Sequence, residues 1–215
     1  MADVVLYWTV LARGLGWTIV LSAASLAFGG ALGIAVGFAR LSRWPLLRWL
    51  AAIYIELFRS IPPLILFFGC YYGLSYAFGL SLTPYFAATL ALTLFCSPMI
   101  AEVLRSSVLA IPRGQWEASS AQGMTRLQQV RFVIWPQAFR TMLPPSVGVY
   151  VATLKDSSLA SIIGFVELTK AGLLIRESTG NSFAILLTIA VLYFLLNYLI
   201  SALGAWLERR NAFAA

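Results

Sequence analysis

Five ionisable side chains lie inside segments that are otherwise strongly apolar. They are Glu56, Arg59, Glu102, Lys155 and Asp156. A charged side chain at the centre of a bilayer costs about 2.5 kcal/mol or more unless it is paired or hydrated, so this set needs an explanation. One explanation is structural: the charges join helices through ion pairs, for example Glu56 with Arg59 or Lys155 with Glu102.

The other explanation is ligand binding within the membrane. A carboxylate of Glu102 or Asp156 can bind the ammonium group of a zwitterionic ligand. A hydroxyl of Thr153 or Ser157, or a free N–H at the end of a broken helix, can bind the carboxylate of the same ligand. The residues alone leave both explanations open.

The sequence offers little for enzymatic catalysis or metal binding. Histidine is absent, which removes His-based triads and zinc-activated water. Cys70 and Cys96 both lie in apolar runs, so neither a disulfide framework nor a Cys/His metal site is indicated. No nucleophile with a suitably spaced base is present, nor a Gly-x-x-x-x-Gly-Lys-[Ser/Thr] loop. We therefore expect no enzyme activity and no metal site, and a small membrane-embedded enzyme is the weakest alternative.

The composition indicates which elements must hold these charges. The chain of 215 residues is 60% hydrophobic and 11% charged, and its mean hydropathy is +0.86. Soluble proteins contain about 25% charged residues. The net charge of +7 does not indicate a nucleic-acid partner, because the arginines are not gathered into one basic face with interleaved aromatics. We predict an all-α integral membrane protein.

Apolar runs predict five transmembrane helices in a single domain, residues 1–215. The predicted spans are about 15–39, 49–78, 84–108, 144–166 and 184–207. Ten of the 15 Lys and Arg residues fall in segments on one side of this layout, three on the other side and two within spans. Because basic loops remain in the cytoplasm, the N-terminus is predicted outside and the C-terminus in the cytoplasm.

Small residues and prolines mark special points in these spans. Glycines spaced four apart over residues 29–37 form a small-xxx-small pattern, which predicts close contact with another helix. Pro62 and Pro63 leave backbone carbonyls unpaired and predict a bend in the second span. The pair Pro144-Pro145 is typical of a first helical turn, so we expect the fourth span to begin there.

The polar segment 109–140 is predicted to be cytoplasmic, because it is rich in arginine. Gly123 is well placed to be the C′ residue that ends a short helix. Thr125 and Gln128 have the spacing of a capping box and would begin the next helix. The segment is therefore predicted to form a helix, a tight turn and a second helix.

The same segment carries a recognisable motif. It reads Glu117-Ala118-Ser119, then Gly123, then Val133-Ile134-Trp135-Pro136. This pattern resembles the EAA loop of ABC-importer permeases, which is Glu-Ala-Ala, three residues, Gly, nine residues and Ile-x-Leu-Pro. The spacing agrees throughout, and Ser119, Val133 and Trp135 are the departures.

Further motifs follow one another in the order of a known family. They are Glu56-Leu57-Phe58-Arg59-Ser60-Ile61-Pro62, Ala101-Glu102-Val103-Leu104-Arg105, Gly114-Gln115-Trp116-Glu117-Ala118, Pro136-Gln137-Ala138 and Leu154-Lys155-Asp156-Ser157-Ser158-Leu159. With these motifs the chain resembles the polar amino acid uptake family of ABC permeases over about residues 15–210. A single motif would be weak, but five in order are specific.

The resemblance implies the membrane subunit of an importer that moves polar amino acids across the bacterial inner membrane. It implies a homodimer or a pair with a sister permease, two cytoplasmic ABC ATPases and an extracytoplasmic substrate-binding protein. No cofactor would bind this chain directly, because ATP and Mg²⁺ would bind the partner ATPases.

The resemblance and the membrane charges together predict three groups of site residues. The short loop helix would act as a lever on the ATPase through Gln115, Trp116, Glu117, Ala118, Ser119, Ser120, Gly123 and Met124. The substrate pathway would include Met99, Glu102, Val149, Tyr150, Thr153, Asp156 and Ser157. Structural or gating roles are expected for Glu56, Arg59, Pro62 and Lys155. Gly148-Val149 replaces an Asn-Glu pair common in the family, which disfavours a strongly cationic substrate.

Two alternatives remain for these features. Residues 113–128 can form an amphipathic helix that rests on lipid headgroups, for which Trp116 and the arginines are suitable. The chain can also be an ion-driven secondary transporter of small polar solutes that uses Glu102 and Asp156. Five spans without internal symmetry disfavour that second alternative, because such transporters are commonly built from inverted repeats.

Overall fold

The structure is a computed structural model that describes residues 6–212. The described part of the chain consists of helices joined by short turns and loops, without a strand, which confirms the all-α prediction. The helices are α1 Trp8–Arg40, α2 Pro45–Ser60, α3 Pro63–Phe78, α4 Pro84–Leu109, α5 Arg113–Ala121, α6 Arg126–Ile163, α7 Leu168–Thr179 and α8 Ser182–Ala212. Two of these helices contain segments that are not α-helical. Helix α3 contains a π-helical turn at Gly69–Gly73, and α6 has a π-helical segment at Gln129–Ile134 and a 3-10 end at Ser157–Ile163.

Three of these helices are long and apolar enough to cross a membrane alone. They are α1, α4 and α8, the last over Ser182–Trp206. Two further crossings are possible if bent pairs each count as one, namely α2 with α3 at 104° and α6 with α7 at 48°. The predicted five spans and their orientation remain predictions, since length and composition alone allow three to five.

Proline positions explain one break and correct one prediction. Between α2 and α3, Ile61 and Pro62 are extended and Pro63 begins the new helix, so the predicted bend is a complete break. The expectation that Pro144-Pro145 forms a first helical turn is wrong, because both prolines lie inside the α-helical part of α6, Trp135–Asp156. Neighbouring helices can stabilise proline within a membrane helix, so a proline pair does not always mark a helix start.

Helix α1 packs closely along α4 through its glycines, as the small-xxx-small pattern predicts. Gly29, Gly33 and Gly37 are buried on one face of α1. A Cβ added to Gly33 would lie 2.5 Å from the Ser97 carbonyl oxygen, and one added to Gly37 would lie 2.7 Å from Leu104 Cδ2. The absence of side chains therefore allows the two backbones to approach each other.

A buried glutamate and the residue after it, Leu168, join three helices near the opposite end of α1. Glu167, with 0% exposure, caps α7 by accepting hydrogen bonds from Thr169 N at 2.8 Å and Lys170 N at 2.9 Å. It also accepts one from Tyr193 Oη of α8 at 2.7 Å. Thr18 Oγ1 of α1 accepts a hydrogen bond from Leu168 N at 3.1 Å. These contacts hold the bent end of the α6–α7 pair against α1 and α8.

Candidate functional site

The short helix α5 is closed at its C-terminus by a tight, well-defined turn. Gly123 has φ +75°, so it is the left-handed C′ residue that the sequence predicted. Met124 N donates to Ser119 O at 3.2 Å and Gly123 N donates to Ser120 O at 3.0 Å, which is the Schellman pattern. Glycine suits this position because a side chain disfavours the left-handed conformation.

The next helix begins with the predicted capping box. Gln128 N donates to Thr125 Oγ1 at 3.4 Å, and Thr125 N donates to Gln128 Oε1 at 2.8 Å. The predicted sequence of helix, turn and helix is therefore confirmed. Its two caps determine how α5 is oriented relative to the beginning of α6.

Polar side chains of α6 hold α5 in place. Gln129, which is 3% exposed, donates through Nε2 to Ser120 Oγ at 2.9 Å and to Met124 O at 3.1 Å. Gln137 Nε2 donates to Gln115 Oε1 at 3.3 Å. Both ends of α5 are thus hydrogen-bonded to one helix, so α5 and the beginning of α6 should move as one body.

Apolar contacts attach α5 to the end of α4 as well. Ile111, Ile134 and Ala138 form a buried cluster, against which Trp116 packs. The guanidinium carbon of Arg126 lies 5.5 Å from the centroid of the Trp116 ring, within the range of a cation–π contact. A displacement of α5 would therefore be transmitted to α4 and α6 together.

The other side of α5 is free to meet a partner. Glu117 and Ala118 are exposed there, and Glu117 has no ion-pair partner within the described residues. Gln115 and Ser120, which are hydrogen-bonded to α6, are also exposed, at the edges of this surface. Ser119, expected on this outer surface, is instead 4% exposed, and its hydroxyl donates to Trp116 O at 2.9 Å. Ser119 is therefore part of the buried side of α5 and does not belong to the surface that a partner protein could contact.

A second feature is a charged cleft of about 520 Å³ between α2 and α4. Its polar lining consists of Arg40, Glu56, Arg59, Glu102 and Arg105, and the rest is Trp49, Ala52, Ile53 and Ile55. Tyr54 Oη and Ser97 Oγ, 2.7 Å apart, join the two helices. The cleft gathers three of the predicted membrane charges, and groups of both signs line it.

The ion pairing in this cleft differs from both examples considered from the sequence. Arg105 binds the Glu102 carboxylate through two nitrogens, with Nε 2.9 Å and Nη2 2.8 Å from Oε2. Lys155 is not the partner of Glu102, and Glu56 and Arg59 have no ion-pair partner within the described residues. Glu102 pairs locally because Arg105, three positions along α4, lies on the same helical face.

The remaining predicted pathway residues lie elsewhere. Met99 and Val149 belong to an apolar cluster between α4 and α6. Thr153 and Ser157 are buried and donate to carbonyls of their own helix, to Val149 O at 2.8 Å and Leu154 O at 2.7 Å. Tyr150 and Asp156 are half-buried, whereas Lys155 and Pro62 are exposed. These residues do not line the charged cleft with Glu102.

Three residues of these sites were not predicted. Arg105 completes the cleft and was detectable from its spacing to Glu102. Gln129 holds α5, and its only sequence signal was a polar residue beside the capping box. Arg40 comes from the distant end of α1, and no local pattern indicated that it would meet α2 and α4.

Comparisons with known proteins agree with this architecture. Residues 29–212 match the family model described as "Binding-protein-dependent transport system inner membrane component". The L-cystine transport system permease protein TcyB of Bacillus subtilis is 35% identical over 205 residues, covering 95% of this chain and 87% of that protein. The glutamine transport system permease protein GlnP of Escherichia coli is 34% identical over 202 residues, covering 94% and 92%.

Solved structures show the same similarity in three dimensions. A chain in the crystal structure of an amino acid ABC transporter with histidines has a TM-score of 0.92 and 31% identity, with 97% of both chains covered. A chain in an inward-facing structure of the MetNI methionine ABC transporter has a TM-score of 0.82 and 27% identity, with 95% and 97% covered. The chain therefore belongs to the binding-protein-dependent transport system inner membrane components, the permease subunits of ABC importers.

Proposed function

We propose that this chain is the membrane subunit of an importer for polar amino acids and that α5 transmits the ATPase cycle to the membrane helices. The main observation behind the proposal is how α5 is packed. One side of α5 is fixed to α4 and α6, and the other side exposes Glu117 without an ion-pair partner in the described part of the chain. The names of the relatives, which include L-cystine and glutamine transport permeases, support the substrate class.

The family to which the chain belongs supports a proposal for its partners. Two cytoplasmic ABC ATPases bind ATP and Mg²⁺ and move α5, so this chain needs no cofactor of its own. A second copy of the chain or a sister permease completes the pathway, and an extracytoplasmic binding protein delivers the amino acid. The chain lies in a bacterial inner membrane with its N-terminus outside, because that orientation places α5 in the cytoplasm with the ATPases.

The charged cleft is our candidate for the part of the pathway that meets a zwitterion. Glu56 and Arg59 have no ion-pair partner in the described part of the chain and line the same cleft as the Glu102–Arg105 pair. The ammonium group of an amino acid can thus bind an acidic side chain of the cleft, and its carboxylate can bind a basic one. The half-buried Tyr150 and Asp156 of α6 are a second candidate region.

Reconstitution tests the proposal. In liposomes the chain alone should transport no amino acid, whereas the complex with its ATPase and binding protein should transport on addition of ATP. Glu117→Arg should reduce ATP-driven uptake at least about tenfold, because it reverses the exposed charge that faces the ATPase, and a lost charged contact at an interface costs more than about 1.4 kcal/mol.

Glu177→Arg is the matched control, since Glu177 is an exposed glutamate in α7 on the predicted opposite side of the membrane. It should leave uptake unchanged. Uptake by the isolated chain driven by an ion gradient would establish the secondary-transporter alternative instead. Normal ATP-driven uptake by the Glu117→Arg variant would contradict the proposed role of α5 in coupling.

A further inference from the structure

A cavity of about 830 Å³ lies beside α5, distinct from the charged cleft. It is open on one side and lies where α1 and α4 end and where α5 and α6 begin. Its lining consists of Phe38, Leu41, Ser42, Arg43, Val108, Leu109, Ile111, Arg113, Trp116, Arg126, Leu127, Val130, Ile134 and Trp135. Neither the coupling role of α5 nor substrate passage accounts for this cavity.

The charged lining of the cavity is entirely basic. Arg43, Arg113 and Arg126 contribute to it, and no acidic side chain does. All three arginines are exposed, and none has an ion-pair partner among the side chains that the structure describes. Arg126 lies over the Trp116 ring, a contact that keeps its guanidinium beside the cavity. Three cations without a counter-charge form a site for an anion.

Apart from Ser42, the rest of the lining is apolar and continues into the candidate membrane-spanning helices. Phe38 and Trp135 are in ring contact, with centroids 5.4 Å apart. Val108, Leu109 and Ile134 add aliphatic surface. Helices α1 and α4 end beside this cavity, at Arg40 and Leu109, where the proposed spans reach the headgroup region. Tryptophan is typical of that depth.

We infer that the cavity binds one anionic phospholipid, with its phosphate between the arginines and part of an acyl chain against Phe38 and Trp135. Basic pockets between membrane helices on the cytoplasmic side are suited to such headgroups. A protein segment is the less suitable occupant, because its backbone polar groups would lose water against the apolar wall without gaining hydrogen bonds. The lipid would contact α1, α4, α5 and α6 together and so affect how they move. This inference rests on the proposed orientation of the chain, which places these helix ends on the cytoplasmic side, and not on the transported substrate.

The test uses the full chain in phosphatidylcholine nanodiscs that contain a small fraction of photoreactive phosphatidylglycerol. Labelling should concentrate on peptides that include residues 108–116 and 126–135. The double substitution Arg43→Gln with Arg126→Gln should reduce this labelling by roughly fivefold for each arginine, because each charge near an anionic lipid contributes that much to binding. Photoreactive phosphatidylcholine with the same acyl probe should label these peptides weakly.

Two variants separate charge from folding. Arg43→Lys with Arg126→Lys should keep most of the labelling, because the charges remain. Arg131→Gln changes an exposed arginine of the same segment that does not line the cavity, and it should label like the wild type.

Several results would overturn the inference. They are undiminished labelling of the double glutamine variant, equal labelling by the two lipids, and loss of labelling in the double lysine variant. Competition by inorganic phosphate as strong as that by phosphatidylglycerol would show a site for a free anion. Labelling that disappears when the ATPase is bound would assign the cavity to that protein.

Discussion

At the scale of single residues, Gly123 determines where α5 ends and α6 begins. Its φ of +75° is one that L-residues with a side chain adopt only at a cost. An added Cβ would meet no atom within 4 Å, so the cost of a substitution is conformational and not steric. A substitution at Gly123 therefore tests whether the tight turn holds α5 in one orientation.

Gly123→Ala should destabilise the closed turn by about 1–2 kcal/mol. We expect faster hydrogen exchange of the α5 amides and weaker ATP-driven uptake, because α5 would no longer be held in one orientation. Gly114→Ala is the matched control, since Gly114 lies within α5 and an added Cβ there also meets nothing within 4 Å. Equal exchange rates in the two variants would show that the turn does not hold α5.

At the scale of elements, the contact between α1 and α4 shows how a sequence pattern becomes packing. The glycines at positions 29, 33 and 37 predicted a close contact without naming its partner. The structure supplies that partner, with Ser97 and Ile100 of α4 against Gly33. Without a strong hydrophobic force between helices inside a bilayer, such close packing is a main source of helix association.

Gly33→Ala should therefore lower the thermal stability of the purified protein. Its Cβ would lie 2.5 Å from the Ser97 carbonyl oxygen, which requires the helices to separate and costs about 1–3 kcal/mol. Gly30→Ala, three residues earlier in the same helix, would meet nothing within 4 Å and should leave the melting temperature unchanged. The prediction fails if the two variants melt at the same temperature.

At the scale of the whole molecule, the charged cleft exists only because three separate helices meet. Arg40 ends α1, Glu56 and Arg59 lie on α2, and the Glu102–Arg105 pair lies on α4. The position of this cleft separates Glu102 from the α6 residues that the sequence had grouped with it. The two candidate regions for the substrate can therefore be tested against each other.

Glu102→Gln should raise the KM for amino acid uptake by about tenfold while leaving ATPase binding intact, which corresponds to the loss of one charged hydrogen bond. Uptake at varied substrate concentration measures this effect, and Glu177→Gln is the control. If Asp156→Asn raises the KM and Glu102→Gln does not, the pathway follows α6 instead of the cleft.

The sequence alone was sufficient for features that arise within a short stretch of chain. Apolar composition indicated membrane helices, and the spacing of Gly123, Thr125 and Gln128 predicted the turn beside α5, because caps depend on neighbouring residues. The motif around Glu117 led to the permease family, which the comparisons confirm.

Only the tertiary structure decided which distant side chains share a space. The sequence suggested Lys155 as a partner for Glu102, but the structure pairs Glu102 with Arg105 and adds Arg40 from α1 to the same cleft. It also placed Pro144-Pro145 inside a helix and showed that Ser119 is buried. Helical periodicity specifies the faces of each helix, whereas the identity of the facing helix depends on packing among all of them.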